Sequence, residues 1–315
     1  MIISASRRTD IPSYYSDWFC NRIKEGLVCV RNPVNPRQVS RISLSPETVD
    51  CIVFWTKNPE PMLARLGVLS AYQYYFQFTL TGYGRDVERN LPPKKEKLIP
   101  TFLKLAEKLG NERVIWRYDP ILFTEKYTPQ YHLHAFGQIA AALRGYTQRC
   151  VISFVDIYAK NRKNMAAAGA YELGEIQQME FCREISRIAK ANGMCVGSCA
   201  EKIDLQQCGI EHNCCIDKNL IERLAGCKIN AGKDNNQRTE CGCVESVDIG
   251  TYNTCRNGCL YCYANHSEES VQKNCGKYDA AFPILCDVVR AEDKLSERKA
   301  KSMREPQIGL FEKGL

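Results

Sequence analysis

Residues 244–265, "VESVDIGTYNTCRNGCLYCYAN", decide how this chain is read. A short strand-like run from Val244 to Gly250 leads straight into three cysteines within eight positions, Cys255, Cys259 and Cys262. A strand that ends in a cluster of functional side chains is the habit of parallel α/β proteins, whose ligands gather at the carboxyl ends of the strands. The rest of the chain repeats the same grammar. "IISAS" (2–6), "CIVFW" (51–55), "YQYYFQFTL" (72–80), "RVIWR" (113–117), "CVISFVD" (150–156) and "MCVGSCA" (194–200) are apolar runs of strand length, rich in β-branched and aromatic residues. Between them lie helical patterns such as "YSDWFCNRIKEG", stopped by Gly26, and "KLIPTFLKLAEKLG", stopped by Gly110. "HLHAFGQIAAALRG", "EIQQMEFCREISRIAKANG" and "CIDKNLIERLAG" continue the alternation.

Strands alternating with helices make βαβ units and a parallel sheet. No G-x-G-x-x-G follows the first strand, which counts against a dinucleotide-binding sheet. Six to eight units favour a TIM-barrel-like (β/α) barrel. The expected organisation is barrel units over 1–235, a cysteine-rich module over 236–275 that closes the barrel, and a helix with a charged tail over 276–315. The stretch "EDKLSERKAKSMREPQIGLF" reads as a surface helix or a flexible arm.

The 315 residues are 44% hydrophobic and carry a net charge of +7, an ordinary globular balance that suits an anionic substrate and admits nucleic acid. No apolar run approaches the roughly 20 residues of a membrane span, and "MIISASRRTDIP" lacks the apolar core of a signal peptide. A cytoplasmic location with reduced thiols is therefore expected for the 18 cysteines.

Thiolates select zinc, copper(I) or iron–sulfur clusters. A structural zinc site needs four ligands. Cys255, Cys259 and Cys262 supply three, enough to cap three irons of a 4Fe-4S cluster and leave the fourth open to a small chelating ligand. A cluster completed by a fourth protein ligand such as Cys275, a zinc site, and unliganded thiols are the competing readings. A second group, Cys199, Cys215, Cys241 and Cys243, can complete a further cluster or hold a zinc ion, with Cys208 or Cys214 as substitutes for one member. Cys20, Cys29, Cys51, Cys150, Cys182, Cys195, Cys227 and Cys286 are dispersed and fit core packing. His132 and His134, two apart on a helix, share no face and read as structural. His212, beside Cys214 and Cys215, is a weak ligand candidate.

The C-x3-C-x2-C spacing, with the aromatic Tyr261 just before the last cysteine, resembles the cluster loop of radical S-adenosylmethionine (SAM) enzymes. That loop normally follows the first barrel strand. Here it follows the last, so the resemblance implies a circularly permuted radical SAM-type barrel. The glycine-rich "GGE" segment of that superfamily is absent. Over its whole length the chain resembles the bacterial domain of unknown function family 1848, through "SASRRTDIP", "FWTKNP", "WRYDP", "SFVD", "CAE" and the cysteine loop. The implied cofactors are SAM and one or two 4Fe-4S clusters, and the implied partner is a reductant such as ferredoxin or flavodoxin.

Six strands end in charged residues: Arg7, Arg8, Asp10, Lys57, Asn58, Arg117, Asp119, Asp156, Lys160 and Glu201 would share one rim. Of these, Arg7, Arg8, Lys57, Arg117 and Glu201 are expected to serve the chemistry or the substrate. Arg7, Asp10, Asn58 and Tyr261 are expected to hold the cofactor. The plainer reading makes them caps and ion pairs. A non-catalytic iron–sulfur electron carrier or redox-responsive protein and a zinc-stabilised nucleic-acid binder are the alternatives to an enzyme.

Overall fold

The computed structural model describes residues 1–305. Eleven strands are found there: β1 (Ile2–Ala5), β2 (Leu27–Arg31), β3 (Gln38–Ser43), β4 (Cys51–Thr56), β5 (Tyr74–Thr79), β6 (Val114–Ile121), β7 (Arg149–Phe154), β8 (Cys195–Ser198), β9 (Ile210–His212), β10 (Val247–Asp248) and β11 (Lys294–Glu297). Eight of them form one parallel sheet in the order β10-β1-β4-β5-β6-β7-β8-β9. Apart from β10, the spatial order is the chain order, and the chain nowhere doubles back within the sheet. The last strand lies beside the first, with Ile3 opposite Val247 and Ser4 opposite Asp248.

Side chains alternate between the two faces of the sheet. Ile3, Ile52, Phe54, Phe76, Trp116 and Ile152 join the larger apolar core. Helices cover that face. Phe19 of helix Ser16–Glu25 meets Phe54 at 5.2 Å between ring centres, Phe102 of helix Ile99–Leu109 meets Phe78 at 5.0 Å, and Phe136 of helix Pro129–Ala142 stacks on Trp116 at 4.7 Å. The opposite face presents Ile2, Val53, Tyr75, Ile115 and Val151. It is covered by the late segment 199–244, including Cys215, Ile216, Leu220, Ile221, Cys241, Cys243 and Val244. The second cysteine group therefore sits directly on the sheet.

Two regions differ from the sequence reading. The antiparallel pair β2–β3 forms a smaller sheet with β11, in the order β11-β3-β2. β3 is "QVSRIS", with only Val39 and Ile42 well buried, so its apolar signal is thin. The charged tail is neither helix nor loose arm where it is described: Lys294–Glu297 pairs in parallel with Gln38–Arg41. All four of its residues are exposed, so backbone pairing to an open edge, not burial, makes it a strand. The helix expected within 276–315 lies earlier, at Glu268–Cys275, and no helix occurs among the described residues that follow. Residues 306–315 of the tail lie outside the described residues. No helix of the described chain is long and apolar enough to cross a membrane.

His132 is fully buried, bonded to the Tyr118 hydroxyl at 2.9 Å and the Leu122 carbonyl at 3.1 Å, a structural role as expected. His134 is on the surface beside Gln138. Burial holds the His132 imidazole down to about 4 from its ordinary 6.5. The folded state resists its protonation, so this share of stability is present above pH 6.5 and is lost as pH falls from 6.5 toward 4. We expect the unfolding free energy in urea to drop by up to about 3 kcal/mol across that window, and a His132→Asn variant to lack the drop.

Candidate thiol-lined functional site

The junction of the first and last strands builds the site. The Asp248 carboxylate accepts from Ser4 Oγ (2.7 Å) and the Arg7 N–H (2.8 Å) on one oxygen, and from Ser6 Oγ (2.6 Å) and the Gly250 N–H (3.0 Å) on the other. This pins the loop after β1 to the loop after β10. Gly250 is required there, because a Cβ would stand 2.1 Å from Ser6 Oγ. The cysteine loop then docks on the loops that follow neighbouring strands. Tyr15 donates to the Thr254 carbonyl (2.6 Å) and Tyr14 to Asn257 Oδ1 (2.8 Å). The Leu260 N–H bonds to the Val87 carbonyl (2.8 Å), and Asn164 and Asn161 donate to the carbonyls of Leu260 and Tyr261. Cys259 forms a backbone bridge with Glu88.

Cys255, Cys259 and Cys262 lie close enough for their charges to act on one another. Burial raises all three thiols, Cys259 to about 12, while Lys57 pulls Cys259 and Cys262 back. The Cys275 sulfur stands 3.2 Å from the Tyr15 hydroxyl and 3.5 Å from the carbonyl of Thr254, the residue before Cys255.

Tyr261, expected to hold cofactor, is instead locked from behind. Its hydroxyl bonds to Glu88 and accepts from Lys57 Nζ at 2.8 Å. Glu88 is buried and also takes Lys57 (2.7 Å), Lys94 and Thr81 (2.9 Å). The two lysines outweigh the burial cost and hold its carboxyl down to about 2. Sequence reasoning missed Glu88 and Lys94, because neither lies at a strand end. The one available signal was a Glu–Lys pair six residues apart in a loop, which is common.

Members of the second group pack near one another on the sheet. Cys199 Sγ and Cys215 Sγ are 3.3 Å apart, Cys215 interacts with Cys243, and Cys243 with Cys241. The Ile216 N–H points at Cys243 Sγ (3.3 Å). Tyr75 and Gln77 of β5 both donate to the Cys215 carbonyl, at 2.7 and 3.0 Å. Gly242 is needed in the C-x-C turn, since a Cβ would meet Cys214 Sγ at 2.6 Å. Cys214 thus borders the group. Cys208 turns away to Met179, and His212 is exposed on β9. Interaction with Cys243 lowers Cys241 to about 7. Of the cysteines assigned to packing, six are buried, whereas Cys195 is exposed and Cys227 half-buried. Among the described residues no group of three or more His, Cys, Asp or Glu is arranged as a metal site.

Arg7 reaches toward the second group. Its guanidinium lies 5.0 Å over the Trp55 ring and interacts with Cys243, Cys215, Asp248 and Tyr263, the residue after Cys262. Its nearest carboxylate oxygen on Asp234 is 3.9 Å away, and its buried Nη2 has no partner. The other expected residues are more occupied. Arg117 binds Asp119, Gln77 (3.3 Å) and Cys215 Sγ (2.7 Å). Asp10 caps the helix at Ile11 and accepts from the Lys57 N–H and Asn257, and Asn58 Oδ1 accepts from the Glu60 N–H. Arg8 lies 5.2 Å from the Tyr252 ring, which Lys160 approaches at 5.1 Å. Asp156 pairs with Arg238. Glu201 accepts from the Phe154 N–H (2.9 Å), and burial with Asp156 and Asp119 nearby pushes it up to about 7.

Fold and site together define a parallel α/β protein with one cysteine group packed on a face of its sheet and a cysteine loop docked on the loops after its strands. A family model matches residues 2–264, and the chain belongs to that family, Domain of unknown function (DUF1848). Neither a curated protein nor a solved structure matches it.

Proposed function

We propose that the chain is a radical SAM-like iron–sulfur enzyme on a permuted (β/α) barrel. The observation that carries this reading is the junction of β10 with β1, which sets the loop of Cys255, Cys259 and Cys262 beside the first strand's loop. The donor set suits a 4Fe-4S cluster with one iron open. Barrel closure is supported by the unreversed strand order and by residues 199–244, which cover the sheet face carrying the thiols.

When bound, such a cluster supplies the electron that cleaves SAM and begins radical chemistry. The chain's own residues do the rest. Lys57, Glu88 and Tyr261 hold the cysteine loop rigid. Arg7 offers a free, buried N–H to an anionic group of SAM or substrate. Glu201, near neutrality, can hold or release a proton at the mouth. Cys199, Cys215, Cys241 and Cys243 would hold an auxiliary cluster or a zinc ion; the 3.3 Å Cys199–Cys215 contact would have to open to roughly 3.8 Å for tetrahedral zinc, whose thiolates sit about 2.3 Å from the metal, and further for a cluster. A reductant such as ferredoxin or flavodoxin and an anionic substrate complete the proposal. In anaerobically reconstituted, reduced protein, adding SAM is expected to change the electron paramagnetic resonance signal. An unchanged signal would favour a non-catalytic electron carrier, with every iron capped by protein.

A further inference from the structure

The surface around the cysteine loop is basic and aromatic. Residues 250–266 contain no carboxylate, and Arg256 and His266 within them are exposed. The segment after β7, residues 156–164, docks on this loop. Asn164 donates to the Leu260 carbonyl (3.2 Å) and Lys160 to the Tyr263 carbonyl (3.4 Å). The segment carries Lys160, Arg162 and Lys163, all exposed, against a single acid, Asp156, which Arg238 already binds. Tyr158 is 41% exposed and Tyr263 47%, and their ring centres stand 6.2 Å apart. Both rings are held in place: the Tyr263 hydroxyl donates to the Arg7 carbonyl (2.8 Å) and the Tyr158 hydroxyl to Asp156 (3.1 Å). A third ring, Tyr252, has the Arg8 guanidinium at 5.2 Å and Lys160 Nζ at 5.1 Å. A single exposed ring needs no explanation, but two neighbouring rings set among cations mark an interaction surface.

We propose that this surface binds single-stranded nucleic acid, with unpaired bases stacked on Tyr158 and Tyr263 and phosphates met by Lys160, Arg162 and Lys163. An exposed ring face accepts any base, but only a base free of a duplex can reach it. An acidic protein would satisfy the cations and leave the rings without flat partners, so the aromatic pair favours a strand. Arg7 extends the surface inward. Its carbonyl takes the Tyr263 hydroxyl, and its buried Nη2 has no partner, which leaves a donor for a phosphate oxygen or a base edge. Binding of the strand requires neither SAM nor metal. That the strand is also the anionic substrate rests on the enzyme reading above.

The test follows the fluorescence anisotropy of a labelled oligothymidylate mixed with the full chain, without SAM, at several salt concentrations. Tyr158→Ala and Tyr263→Ala are each expected to weaken binding about 5- to 150-fold and to leave the salt slope unchanged. Tyr158→Phe and Tyr263→Phe keep the ring and should bind like the unaltered chain. Lys160→Ala should make the slope shallower by about 0.7, the loss of one phosphate contact. Lys108→Ala, in the last turn of helix Ile99–Leu109, should change nothing. A duplex of oligoadenylate with oligothymidylate should compete at least about tenfold less well than the single strand. Equal competition by the duplex would overturn the proposal, as would alanine variants of both tyrosines that bind unimpaired. So would an unaltered chain that ignores the oligothymidylate and binds an acidic flavodoxin through the same residues. The response to SAM is read separately, so this inference and the enzyme reading fail independently. Strand against duplex on the unaltered chain decides the matter even if a variant does not fold.

Discussion

Replacing Glu88 with alanine is expected to lower the unfolding free energy by about 3–5 kcal/mol, the usual cost of leaving buried charge without its partner. Glu88 is 2% exposed and is shared by Lys57, Lys94, Thr81 and Tyr261. Its removal leaves two ammonium groups facing each other in a dry site. Substituting Leu for Glu88 together with Met for both lysines should recover most of the loss, because an apolar trio carries no desolvation penalty. The carboxyl is held at about 2, below its ordinary 4.5, so its contribution persists at neutral pH and disappears as pH falls from 4.5 through 2. Urea denaturation of the variants at pH 7 measures the effect; a loss under about 1 kcal/mol would mean that water already reaches the network.

Changing any one of Cys255, Cys259 or Cys262 to serine is expected to remove about four irons and four sulfides per chain, and with them the response to SAM. The same change at Cys215 or Cys243 should affect only the second group's metal and leave the SAM response in place. Iron, sulfide and zinc content of anaerobically purified variants reads both. Loss of about eight irons from a single substitution would show that the two groups are one unit, and zinc in the second group would mark it as structural. Because Tyr75 and Gln77 hold the Cys215 backbone rather than its sulfur, serine at 215 is expected to leave the local fold intact.

Most of the α/β alternation was legible in the residues. Apolar runs such as "CIVFW" and "RVIWR" have few stable homes other than a buried parallel strand, and Gly26, with φ +67°, ends its helix where a glycine stop was expected. The nearness of Cys199 to Cys215 and the packing of Cys215, Cys241 and Cys243 on one sheet face were also in keeping with the sequence, since thiols at a strand end, a helix start and a C-x-C turn lie near one another along the fold. The β2–β3 pair and β11 were not, because strands held by edge pairing need no apolar pattern. Nor were Glu88 and Lys94, whose importance comes from being shut together under Tyr261 rather than from any spacing.

The sequence by itself determined which segments become strands and helices and which thiols are available, because burial periodicity and ligand chemistry are local properties. Only the tertiary structure decided that the sheet's last strand lies beside its first, that Cys275 meets Tyr15, and that Arg7 keeps a buried N–H without a partner. Those outcomes depend on contacts across as many as 260 positions of chain, such as Tyr15 to Cys275, and packing alone selects among them.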